Sequence, residues 1–197
     1  MKKLLLPLCA LLSGTLAAQN LIVDPDCKQG TASGEFTVSE NAVQGKLSKF
    51  TEEDGNTCLK FELVKCGVDK NGKKRVGTGI LIGGNKKLQG FVCKPDTVYK
   101  FTVKVKGDAA RAMFNVFEWD NLKDNSWRNR RKFRASIHMI HPKAEWTEYS
   151  GTFKTGPKAK RAALGLQFWG DEARKDFQEK EGQYILVDQI VIEEVKP

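Results

Sequence analysis

The chain has 197 residues, with 33 lysines and arginines against 24 aspartates and glutamates, and a formal charge of +9. That length suits one domain, at ~100–200 residues per domain, large enough to bury a real core. Beyond the first residues no stretch approaches the ~20 apolar residues that a helical membrane span needs.

Residues 1–18 read as a signal peptide. Lys2 and Lys3 precede an apolar run from Leu4 to Leu12, and Ala17 and Ala18 supply the small residues of a cleavage site. Cys9 lies inside the apolar run behind Leu8, which argues against a lipoprotein. The expected location is secreted, periplasmic or at the cell surface, and residues 19–197 form a single domain. In an exported protein a basic surplus points to acidic polymers or cell surfaces rather than nucleic acid. Cys27, Cys58, Cys66 and Cys93 remain, an even number that predicts disulfides. Cys58 and Cys66 flank a strand-like run that would hold them roughly 26 Å apart at ~3.3 Å per residue. Cys27 is therefore expected to pair with Cys58 or Cys66. No CxxC is present for zinc.

Asn20–Asp24 reads as a short strand stopped by Pro25, and Glu35–Ser39 alternates weakly. Cys58–Val64 puts Leu59, Phe61 and Leu63 on one face, and Asp69-Lys70-Asn71-Gly72 is a strong turn. Val76–Ile82 and Leu88–Cys93 follow, then Val98–Lys106, the clearest half-buried strand. Met113–Trp119 carries aromatics on both faces. Asp120–Arg134 is a basic loop holding Trp127 among arginines, and Ala135–Ile140 is another strand. A strand beginning at Trp146, Ala163–Trp169 and Tyr184–Val195 close the chain. Lys158–Ala163 has room for a helical turn, and Asp171–Gln183 reads as a charged loop. About ten short strands with Gly and Pro punctuation predict an all-β antiparallel sandwich.

No spacing singles out a catalytic pair among Glu118, Asp120, Glu145, Glu148 and Asp171. His138 and His141 point to opposite faces of a strand and make a poor metal pair. Binding residues are easier to find. Trp119 and Trp169 each end a strand and stand near Asn115, Phe117 and Gln167. An exposed indole offers an apolar face to the C–H face of a sugar, while amides serve its hydroxyls. Trp127 and Arg130 of the basic loop add a ring and a guanidinium suited to carboxylate or sulfate. Trp146 is expected in the core.

With these residues in place, the chain resembles the carbohydrate-binding modules of the family 4/9 type, a galactose-binding-like jelly roll. The resemblance runs through Asn20–Asp26, Cys58–Phe61, Lys94–Phe101, Glu145–Phe153 and Val187–Ile190. It implies non-catalytic binding of a polysaccharide or glycan, anionic or neutral, at Asn115, Phe117, Trp119, Gln167 and Trp169. It also implies a structural calcium near Asp26 and Asp188, although Lys28 would repel a cation there. Otherwise no cofactor is expected. The alternatives are a small jelly-roll polysaccharide hydrolase or lyase, and a surface or matrix module that binds protein.

Overall fold

The computed structural model describes residues 20–22, 24–27, 34–37, 43–82, 84, 89–123, 132–175 and 177–196. Residues 1–18, Trp127 and Arg130 lie outside the described residues. The described chain forms strands β1 (Gly34–Thr37), β2 (Gln44–Thr51), β3 (Thr57–Lys65), β4 (Gly67–Val68), β5 (Lys74–Ile82) and β6 (Phe91–Val92). These are followed by β7 (Val98–Gly107), β8 (Ala112–Trp119), β9 (Lys132–Ile140), β10 (Thr147–Lys154), β11 (Arg161–Asp171) and β12 (Tyr184–Glu194). They pair antiparallel into two sheets, β1-β5-β11-β8-β9 with β4 and β6 attached, and β10-β7-β12-β3-β2. The fold is an all-β sandwich, as the alternation predicts.

The core lies between the sheets. On β7, Tyr99, Phe101, Val103 and Val105 turn inward, while Lys100, Thr102, Lys104 and Lys106 face water. Leu59, Phe61 and Leu63 of β3 do the same. The facing sheet supplies Phe114 and Val116 from β8 and Leu164, Leu166 and Phe168 from β11. Aromatic contacts join the layers: Phe61 meets Phe168 at 5.8 Å between centroids, and Phe101 meets Phe114 at 5.1 Å. Such pairs add about 0.5–1.5 kcal/mol to the area they bury.

Several elements differ from the sequence reading: β4 is unexpected, β9 begins at Lys132 inside the expected basic loop, and β11 begins at Arg161, inside the stretch given room for a helical turn. β2 is a full edge strand where none is expected. Its apolar residues Leu47 and Phe50 do not alternate, because only one side of it pairs. Asn20, Leu21 and Pro25 lie against β12, and the described residues of this segment form no regular strand. The Leu21 N–H donates to Ile192 O at 2.9 Å and the Ile190 N–H to Pro25 O at 2.8 Å. β12 shifts register between Asp188 and Val191, where Gln189 takes φ 47°.

Candidate functional site

On β8 the odd residues Met113, Asn115, Phe117 and Trp119 point away from the main core, because period-two alternation commits Phe114 and Val116 to it. Registry with β11 sets Trp119 opposite Arg161, Phe117 opposite Ala163, Asn115 opposite Gly165 and Met113 opposite Gln167. On the other side, Gln167 faces Gly79 and Trp169 faces Gly77. These residues share the outward face of the seven-stranded sheet. Leu81, Phe117, Trp119 and Ala163 form a small apolar cluster of their own there. Glycine is required at two points. A Cβ on Gly165 would come 2.5 Å from the Phe117 ring, and one on Gly79 would come 2.5 Å from the Cβ of Gln167.

This face is not the open trough that the sequence reading expects. Asn115, Phe117, Trp119 and Gln167 are each 0% exposed, and of the expected contacts among the described residues only Trp169 is partly exposed. The physical reason is that β8 is buried along its whole length, on both faces. The two indoles are also not neighbours. Trp119 pairs with Arg161, and Trp169 lies eight residues further along β11, roughly 26 Å away at ~3.3 Å per residue. They cannot grip one sugar ring together.

The hydrogen-bonding groups on this face are poorly served. Asn115 Nδ2 reaches Met113 O at a long 3.5 Å. Asn115 Oδ1, Trp119 Nε1 and both amide atoms of Gln167 are buried without a hydrogen-bond partner among the described residues. Each such group costs about 1–3 kcal/mol, and buried polar atoms in native proteins are normally paired. The Arg161 guanidinium stacks 4.5 Å from the centre of the Trp119 ring. At the other end, Arg111 Nε donates to Trp169 O at 3.2 Å and lies 3.4 Å from Glu179 Oε1. Buried Glu179 comes from the loop read as merely charged. Arg161, Arg111 and Glu179 all go unnoticed in the sequence reading. Only Arg161, immediately before the apolar run of β11, is marked by its position.

The remaining expected site residues sit elsewhere. Asp26 is exposed in the first turn, and Asp188 is buried on β12. Asp188 Oδ2 accepts from Asn56 Nδ2 at 3.2 Å, and its Oδ1 from the Gln189 N–H at 2.7 Å. Burial, then the nearby Asp26 charge, raises its pKa. Among the described residues no group of three or more His, Cys, Asp or Glu side chains could hold a metal ion. Both Asp188 oxygens already accept hydrogen bonds.

The expected disulfides are not formed, and all four cysteines are free thiols. The Leu59 N–H donates to the Cys27 sulfur, so Cys27 sits at the Cys58 end of β3 and far from Cys66. Burial pushes the Cys27 thiol up, and Cys58 and Cys93 up to about 12. Trp146, expected in the core, is half-buried and donates to Glu52 Oε2 at 2.8 Å. His141 Nδ1 bonds Ala110 O at 2.8 Å, a structural role.

No protein-family model matches the chain, and no curated protein matches it in sequence. Solved structures do. The xylan-binding domain CBM22-2 of Paenibacillus barcinonensis Xyn10C superposes with a TM-score of 0.51 at 11% identity, covering 86% of this chain and 97% of that one. The fold is that of the jelly-roll carbohydrate-binding modules. A CBM4 structure aligns at TM-score 0.50 and 9% identity over 84% of this chain and 89% of that one. The enzymatically active domain of tailspike protein 4 from bacteriophage CBA120 aligns at 0.55 and 12% identity. This chain covers 89% of its own length in that match but spans only 21% of the tailspike chain. The module likeness extends over more than one family, so it supports the module fold and not family 4/9 in particular.

Proposed function

We propose that the protein binds a polysaccharide or glycan without chemistry, at the Trp169 end of the outward face of the seven-stranded sheet. One observation carries the reading. Beside the partly exposed Trp169 ring, two residues along β11 on the same face, stands the Gln167 amide, buried with neither atom partnered. A sugar ring stacked on the indole would bring hydroxyls that both donate and accept, which is what that amide lacks. Asn115, Phe117 and Trp119 lie deeper on the same face, so a ligand reaches them only where the face opens. The fold shared with a xylan-binding domain supports the same class of ligand. By residue type alone, Trp127 and Arg130 stand as further contacts for an anionic sugar. Residues 1–18 are proposed as an export leader, which sequencing the mature N-terminus tests.

The buried carboxylates speak for binding over hydrolysis. Glu118 Oε1 accepts the Gly156 N–H at 3.0 Å, and Glu179 is held by Arg111. Affinity electrophoresis through xylan and other polysaccharide gels tests the reading. Wild type should be retarded by at least one glycan, and Trp169→Ala should lose about tenfold in affinity, the ~1.4 kcal/mol of one stacked ring. Free migration in every gel, or a Trp169→Ala variant retarded like wild type, sinks it.

A further inference from the structure

The opposite side of the sandwich carries a cleft that the expected binding residues do not touch. Across the outward face of the five-stranded sheet, Lys60 pairs with Leu186, and Leu186 with Lys106. Tyr184 and Phe50 flank Lys60 diagonally, opposite Glu62 and Cys58 respectively. The Lys60 ammonium therefore sits 5.1 Å from the Tyr184 ring centre and 5.9 Å from that of Phe50, and is tied to Glu62 at 2.9 Å.

The β2–β3 turn makes the wall. Its ends are closed by the Glu52 N–H to Asn56 O at 2.8 Å and the Gly55 N–H to Glu52 O at 3.0 Å, with Gly55 at φ 87°. Glu52 then reaches across β12. Its Oε1 accepts from Lys106 Nζ at 2.6 Å, and its Oε2 from Trp146 Nε1 at 2.8 Å and Asn56 Nδ2 at 3.2 Å. Three donors, from β7, from the residue before β10 and from the turn itself, fix this wall before any ligand arrives. Between the wall and the sheet lies a space of about 530 Å³, within the ~300–1,000 Å³ range of small-molecule sites.

The lining decides the ligand class. Leu186 gives an apolar floor, and Phe50 (39% exposed) and half-buried Tyr184 show their rings to solvent. The ammoniums of Lys60 and Lys106 donate, and the carboxylates of Glu53 and Asp54 accept. Three acids, Glu52, Glu53 and Asp54, outweigh the two lysines, so the cleft repels an anion despite the basic chain. An alternation of donors and acceptors around two rings matches a molecule with an apolar C–H face and many hydroxyls. We propose that this cleft is a second binding site, for a neutral saccharide stacked on Tyr184 and Phe50. It lies on the other sheet from Trp169 and stands or falls apart from the site there.

The test is titration of the full chain with xylohexaose, with cellohexaose and, as the anionic arm, with an oligogalacturonate, followed by backbone amide NMR shifts. A neutral oligosaccharide should shift the amides of Phe50, Lys60 and Tyr184. Tyr184→Ala and Phe50→Ala should each weaken that binding about tenfold. Phe50 is exposed enough that its variant keeps the test valid if Tyr184→Ala fails to fold. Gln167→Leu should leave these shifts unchanged. The inference is overturned if neither neutral probe moves those amides, if the oligogalacturonate binds them more tightly, or if Phe50→Ala binds as wild type does. Binding lost in Gln167→Leu but kept in Tyr184→Ala and Phe50→Ala would refute this site and leave the Trp169 site standing. The reverse pattern would do the opposite.

Discussion

The two sheets use the same alternation to different ends. In the five-stranded sheet, β7 turns four large apolar residues inward and keeps lysine and threonine towards water, so its outward side chains have solvent for a partner. In the seven-stranded sheet, β8 and nearly all of β11 are buried on both faces, yet Asn115 and Gln167 occupy positions where apolar side chains would serve stability better. A sandwich needs only one buried face per sheet. The second buried face holds polar atoms without partners, the pattern expected where binding competes with stability.

Breaking the shared core should cost most. Phe101→Ala removes a fully buried ring that touches Phe114 of the other sheet, and should destabilise by about 3–5 kcal/mol in urea denaturation. The contrast between the sheets is sharpened by Gln167→Leu. Replacing an unpartnered amide with an apolar group of similar size should raise stability by about 1 kcal/mol while weakening glycan binding. The matching change on the wet face, Thr102→Leu, should alter stability by less than about 0.5 kcal/mol. A Gln167→Leu variant less stable than wild type would show that the amide has partners after all.

Smaller effects depend on pH. The Asp188 pKa is raised, so its charge opposes folding at neutral pH, and the penalty fades as pH falls through that raised value. Asp188→Asn should therefore melt higher than wild type at pH 7, with the gap narrowing in acid, and EDTA should leave the wild-type melting temperature unchanged. Calcium held by Asp188 would reverse both results. The smallest effect belongs to Glu52, whose pKa is lowered chiefly by the Lys106 hydrogen bond. Its contribution is complete above the ordinary carboxylate pKa and is lost as pH falls through the lowered one. Glu52→Gln should thus melt slightly lower at pH 7 and match wild type in strong acid.

Much of the fold can be read from residues alone because β3 and β7 alternate cleanly. β2 escapes because its apolar residues, Leu47 and Phe50, break the period, although the Asp54-Gly55 pair before Cys58 is a hairpin signal and marks the turn that shapes the second cleft. The site is harder. Apolar residues at both parities of Met113–Trp119 already mean burial on both sides, and reading them as an exposed platform mistakes an inner layer for a surface.

Asn20 lies beside the end of β12, its side chain donating to Ile190 O at 3.0 Å and accepting from the Ile192 N–H at 3.1 Å. The first and last described segments of the domain thus lie side by side. A domain with adjoining ends can be spliced into a host loop, or joined end to end and reopened at the exposed Asp69–Gly72 turn, without rerouting its backbone. The sandwich is therefore a portable cassette whose two outward sheet faces would keep their orientation under circular permutation.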